Sequence, residues 1–367
     1  MLKRRLCCLL LATASLLSAC ANDPHRRPEP SAAAKDQAQR LAASGYQATE
    51  QNSLTLAMQE WIVEGERLPV SLAWPGSGRS LPLIVYLPGL GESAQAGLRW
   101  RQAWARAGYA VLSVQPLEVD ATAWSSELAR AADFKGLARQ HQRADQLRLR
   151  LLRLEATLAE ARRRAAGGDA LWSRVDFSRM AVAGYDLGSQ AAARLAPNFM
   201  ATLLLSPGLS ADDAPTLTGP LLLISSRRDT DPTGLIESPG LRTQAFAQLP
   251  VGDKYLLLLD TASHAALAGG TAPELDDFAA SGQPGRQGGE RRSGGGGGRG
   301  KDGQEPQARH VPAPMARGDT HLASGVAAEG VSIAFLDATL RARPAAKQWL
   351  RNDAVGWLQG LGEWRQR

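Results

Sequence analysis

Residues 180–196, MAVAGYDLGSQAAARLA, decide the fold. The first four are a short apolar run of the kind that forms a strand buried on both faces. The second half, dominated by alanine, has the composition of a helix. Between them Gly184, Asp186 and Gly188 make a Gly-x-Asp-x-Gly turn. A strand that turns sharply into a helix presents the residue between the glycines at its tip, beside a helix N-terminus that favours negative charge. Glycine makes up 37 of the 367 residues, so the five-residue pattern alone carries little weight. The strand before it and the helix after it are what single it out.

Outward from this turn the chain repeats one theme of apolar run, turn and helix. Further apolar runs lie at 83–87, 109–114, 201–205, 221–224 and 255–259. Helical patterns such as AQAGLRWRQAWARAG and RADQLRLRLLRLEATLAEARRRAAGG separate them. In the second pattern Leu147, Leu151, Leu154 and Leu158 share a face, with arginines on the outside. Alternating strands and helices predict an α/β fold, a mostly parallel central sheet with helices on both faces. Before it, residues 53–75 alternate well enough for two antiparallel strands. A hydrophobic content of 44% is ample for a sizeable core.

The two ends and one internal stretch differ from this body. Residues 1–19 have a basic start and a short apolar stretch, the pattern of a secretory signal and too short to span a bilayer. They end in Leu17-Ser18-Ala19-Cys20, which resembles a bacterial lipobox and makes Cys20 the expected lipidation site. Residues 20–45 read as a Pro-rich tether and a short Ala-rich helix over 32–44. The expected location is lipid-anchored at the periplasmic face of the outer membrane, with the membrane as a partner through Cys20. The only other cysteines, Cys7 and Cys8, fall in the signal, so the mature domain has no disulfide or thiolate chemistry. The main domain is expected over 46–268. Residues 269–322 are Gly/Arg-rich and almost free of large apolar side chains, an expected disordered insertion. Apolar periodicity returns over 323–367, where Ile333, Leu336 and Leu340 share a helix face. Of the formal charge of +6, Lys3, Arg4 and Arg5 supply half, so the mature chain carries about +3 and no nucleic-acid footprint is expected.

Chemistry-bearing residues follow the strands in a definite order. After the run at 83–87 comes LPGLGES, whose Leu90 N–H could join that of Leu187 as an oxyanion hole. After 221–224 comes SSRRDTDP, where Asp229, with Asp231 as the alternative, could orient a histidine. After 255–259 comes His264, the one histidine of five directly behind a strong strand. Trp124, in QPLEVDATAWSSEL, either lines the pocket or packs beneath that loop. No metal-ligand spacing occurs, and no cofactor is expected.

The order elbow, acid, histidine is that of α/β-hydrolases. The chain resembles that superfamily over 54–268 and 332–350. LPLIVYLPGLGES, VDFSRMAVAGYDLGSQ and FLDATLRARPAAKQWL look like its dienelactone hydrolase and platelet-activating-factor acetylhydrolase-like branch. The resemblance implies an ester or lactone hydrolase without a cap domain, with Asp186, His264 and Asp229 as the catalytic set. Two positions depart from the branch: Asp186 stands where Ser or Cys is usual, and Pro88 where many relatives have His.

Attack by Asp186 on an ester carbonyl would give a mixed anhydride that expels the carboxylate more readily than the alkoxide. Carboxylates are competent nucleophiles at saturated carbon and phosphorus. Haloalkane dehalogenases and epoxide hydrolases of this superfamily place an Asp at this position, but they follow it with Trp, where Leu187 stands here, and insert a cap after the strand corresponding to 201–205. SPGLSADDAPTLTG leaves no room for one. Asp186 and His264 could instead activate water as general bases. Ser189, one turn into the helix, points elsewhere. Two further readings remain: an inactive hydrolase-fold lipoprotein that acts as a binding or interaction module, and an interaction role carried by the insertion.

Overall fold

A computed structural model describes residues 30–209, 212–270 and 317–367. Nine strands form one sheet: β1 (Leu54–Val63), β2 (Glu66–Pro75), β3 (Leu81–Leu87), β4 (Ala110–Val114), β5 (Val175–Tyr185), β6 (Ala201–Leu205), β7 (Leu221–Arg228), β8 (Lys254–Ser263) and β9 (Gly362–Gln366). Their order is β1-β2-β4-β3-β5-β6-β7-β8-β9. Strands β4, β3 and β5 to β8 are parallel. The hairpin β1–β2 joins β4 antiparallel, and β9 closes the far edge antiparallel to β8. The expected α/β architecture with a mostly parallel sheet is therefore present.

The continuous apolar runs become central strands because each buries both faces. On β3, Leu83, Val85 and Leu87 enter one core layer, while Ile84 and Tyr86 enter the other. The first layer is covered by α3 (Ala144–Ala166) and α4 (Leu187–Leu195). The second is covered by α2 (Leu98–Arg106) and α5 (Arg317–Leu340). The stretch Leu322–Leu340 of α5 is apolar enough by composition to cross a membrane, but more than half of it is buried, and it packs on β8 and its neighbours. Helix α1 (Ala32–Ser44) is capped by Ser31, whose hydroxyl accepts from the Ala34 N–H at 3.2 Å. It docks on the C-terminal part through the Trp357 indole, which donates to the Leu41 carbonyl at 3.1 Å.

Three details depart from the sequence reading. Helix α5 begins at Arg317, inside the stretch expected to be unstructured; residues 271–316 of that stretch lie outside the described residues. Strand β9 carries no strand signal, since Trp364 alone of its residues is buried. On α3 the leucine face is present, with Leu154 and Leu158 buried, but the arginines are not all outside: Arg150 is buried. It is drawn in by a carboxylate of the segment between β4 and α3.

Candidate functional site

The parallel strands converge their C-terminal ends on one edge, where ligands bind in open α/β sheets. Strand β5 ends at Tyr185 and α4 starts at Leu187, with Asp186 between them at φ 47, ψ −113. That is a strained conformation for a residue with a side chain. Both flanking glycines are dictated by contact: a Cβ on Gly188 would collide with the carbonyl oxygens of Leu87 and Pro88, and one on Gly184 with the Gly188 carbonyl. The Asp186 N–H donates to the Leu205 carbonyl at 3.0 Å, tying the turn to β6. The Asp186 side chain is 22% exposed. Ser189 is buried and donates its hydroxyl to the Asp186 carbonyl, as its place in the helix predicts.

His264 opens a short helical turn directly behind β8. Its Nδ1 lies 2.7 Å from Oδ1 of Asp229, which follows β7. Asp229 is wholly buried, and Ser225 donates to its other oxygen at 2.7 Å. Burial raises the Asp229 carboxyl, but the His264 bond and the Arg242 charge outweigh it and hold the group below its ordinary range. An ionised carboxylate only accepts, so Nδ1 of His264 carries the hydrogen and Nε2 is left for chemistry. Of the two acids in the sequence motif, Asp229 is the partner. Asp231 is spent on its own loop, accepting from the Thr233 and Ile236 N–H groups at 2.9 and 2.7 Å.

Two further ionisable residues stand in the site. Arg242, completely buried, donates to the Ser206 carbonyl at 2.6 Å and lies 3.2 Å from Asp229 Oδ1, 3.4 Å from His264 Nδ1 and 3.9 Å from Asp186 Oδ1. The cation thus touches both aspartates and the histidine. No hydrogen bond joins Asp186 to His264 among the described residues. Glu92, 9% exposed, accepts the Gly89 N–H through Oε2 at 2.7 Å. A Cβ on Gly89 would press on the Tyr185 ring at 2.8 Å and on Glu92 Oε2 at 3.3 Å, so this carboxyl lies against the elbow. Burial pushes Glu92 up to about 7; the Gly89 N–H opposes this, and the Asp186 charge adds to it. Tyr185 braces the histidine, its hydroxyl donating to the His264 carbonyl at 3.0 Å and its ring 5.0 Å from the imidazole.

The N–H groups of Leu90 and Leu187, expected to face an oxyanion, donate to no partner among the described residues. Their side chains pack with Ala123, Leu137 and Trp124 from the segment between β4 and α3. Trp124 presses on Gly91, where a Cβ would collide with the indole nitrogen, so it packs on the turn after β3. The segment is pinned by Asp120, wholly buried, which accepts from His141 Nδ1 at 2.7 Å and from Arg150 at 2.5 and 2.8 Å. The Asp120 carbonyl accepts the Gly91 N–H at 2.7 Å.

No group of three or more His, Cys, Asp or Glu is placed to hold a metal among the described residues. Cys20 lies outside the described residues. Neither the models of known protein families nor the curated proteins include a match to this chain. Arg242 had no sequence signal, standing thirteen places after its partner Asp229 in an unremarkable GLRTQ. Glu92 was visible in LPGLGES, but only burial distinguishes it from a solvated loop acid.

Proposed function

We propose that this chain is a hydrolase of the α/β-hydrolase superfamily, acting at saturated carbon, with the Asp186 carboxylate as nucleophile. The observation that carries this reading is the bond at 2.7 Å between buried Asp229 and half-buried His264, beside an elbow held at φ 47, ψ −113. An acid, a histidine and a strained turn arriving from three strands are the parts a two-step displacement needs. An Asp186 carboxylate oxygen bonds to the carbon as the carbon's bond to the halide or epoxide oxygen breaks and that group leaves with the electron pair, so that the carbon becomes an ester of Asp186. Water, deprotonated by His264 Nε2, then attacks the ester carbonyl. The Leu90 and Leu187 N–H groups receive the resulting oxyanion, and Asp229 stabilises the imidazolium. Arg242 aligns the Asp186 carboxylate and balances the two aspartates. The dienelactone hydrolase-like branch, the lipid on Cys20 and a periplasmic location belong to the same proposal. They are supported by the sequence motifs alone: the elbow and strand stretches for the branch, and Leu17-Ser18-Ala19-Cys20 for the lipid and the location.

The test is turnover of epoxides and haloalkanes by the soluble chain without its first 20 residues, beside Asp186→Asn and His264→Ala. Asp186→Asn should be inactive, and His264→Ala should accumulate the covalent ester, seen as a mass increase on residue 186. Inactive wild type would remove the reading. A second reading, a silent binding module, is favoured by one observation: Asp186 Oδ1 is 3.9 Å from Arg242, with no bond to His264. It predicts a silent wild type and an Asp186→Ser variant that gains esterase activity.

A further inference from the structure

We propose that Glu92 is the proton donor of this site and that the substrate is an apolar epoxide. This rests on Asp186 acting as the nucleophile. Glu92 is nine-tenths buried, one oxygen is fixed by the Gly89 N–H, and the other, Oε1, has no partner among the described residues. A Cβ on Gly89 would lie 2.8 Å from the Tyr185 ring and 3.3 Å from Glu92 Oε2, so the carboxyl stands close to the residue that precedes Asp186. Leu90 and Leu187, whose N–H groups donate to no partner among the described residues, pack their side chains with Trp124 in an apolar cluster, so a substrate held at those N–H groups lies against hydrocarbon.

A displaced halide leaves as a stable anion, whereas an opening epoxide generates an alkoxide that needs a proton as the bond breaks. Asp186 Oδ forms a bond to the epoxide carbon, the C–O bond breaks, and the departing oxygen takes the proton of Glu92. Water then adds to the Asp186 ester carbon as His264 Nε2 removes its proton. The intermediate collapses, and the second alkoxide of the diol takes that proton back from His264. Asp186 is released as the acid and returns its proton to Glu92. The sum is epoxide plus water to diol, with both carboxyls restored. Glu92 is suited to this exchange because it holds its proton up to about pH 7.

The experiment compares styrene oxide and 1-bromohexane turnover by the wild type, Glu92→Gln and Glu92→Asp, with folding checked by near-ultraviolet circular dichroism. Glu92→Gln should lower the ratio of epoxide to bromide turnover about 100-fold, the usual worth of a positioned acid. Glu92→Asp should recover part of it. Wild-type epoxide turnover should fall as pH rises through about 7, and this limb should be missing from the variant's residual rate. An unchanged ratio in Glu92→Gln, or a wild type that hydrolyses the bromide but not the epoxide, would overturn the assignment and leave the Asp186 reading standing. A wild type inactive on both removes that reading, and this one with it.

Discussion

At the scale of single residues, the site is a group of charges in which each depends on the others. Asp186 keeps a positive φ that glycine would adopt without strain. Asp186→Gly should therefore raise stability by about 1–2 kcal/mol in denaturant melts while abolishing turnover. An equal or lower midpoint would mean that the 3.9 Å contact with Arg242 outweighs the strain. Asp229 is the opposite case. Removing its charge leaves buried Arg242 with only the longer 3.9 Å carboxylate contact, to Asp186, among the described residues, so Asp229→Ala should cost about 3–5 kcal/mol. Glu92 adds a pH dependence. Its folded-state pKa of about 7 lies above its ordinary 4.5, so the native state binds the proton more tightly. Below the ordinary value both states are protonated, and the group makes no difference. As pH rises from there through about 7, stability is lost, on the order of 3 kcal/mol when complete. Glu92→Gln carries no such loss, so its midpoint should gain on the wild type between pH 4.5 and 8; a constant gap would contradict the burial argument. The sequence displayed Asp186, Asp229 and His264 because each directly follows a strand. It hid Arg242, because a buried arginine is recognisable only once its carboxylates are in place.

At the scale of elements, the central strands were legible because full burial demands unbroken apolar runs, while the edge strand β9 was not, and α3 was legible by its leucine face. Arginine was misleading there: its long stem allows it to reach a carboxylate across a helix gap, and periodicity does not distinguish Arg150 from its solvated neighbours. The segment between β4 and α3 has short helices and little periodicity, so its packing over Leu90 and Leu187 could not be read in advance. Its attachment depends on Asp120, whose carboxyl is raised by burial but brought below the ordinary range by the Arg150 and His141 bonds. Asp120→Ala should free this segment without unfolding the sheet. Limited proteolysis would then cut within 118–141, and the amides there would exchange faster, while those of β3 and β5 stay protected. Protection lost across the sheet as well would show that the segment is part of the global folding unit.

At the scale of the whole molecule, the chain completes its domain only after residue 317. Val331, Phe335, Leu336 and Leu340 of α5 are fully or almost fully buried under one face of the sheet, and Trp364 of β9 stacks on Tyr255 of β8, ring centroids 5.4 Å apart. Asp337 accepts from Tyr109 at 2.5 Å and from Tyr46 at 2.7 Å, linking α5 to the start of β4 and to the segment after α1. Burial of such side chains contributes about 1.5–3 kcal/mol each, comparable in sum to the net stability of a domain. A chain ending at residue 270 keeps the elbow, Asp229 and His264, yet exposes the apolar face of β5 to β8. It should lack a cooperative thermal transition and bind an apolar dye. Adding a separate 317–367 fragment should restore the transition, because the missing pieces are an independent helix and an edge strand rather than a central one. If the 270-residue chain melts cooperatively alone, the first core layer is sufficient, and α5 is a cover on a finished domain rather than part of its core.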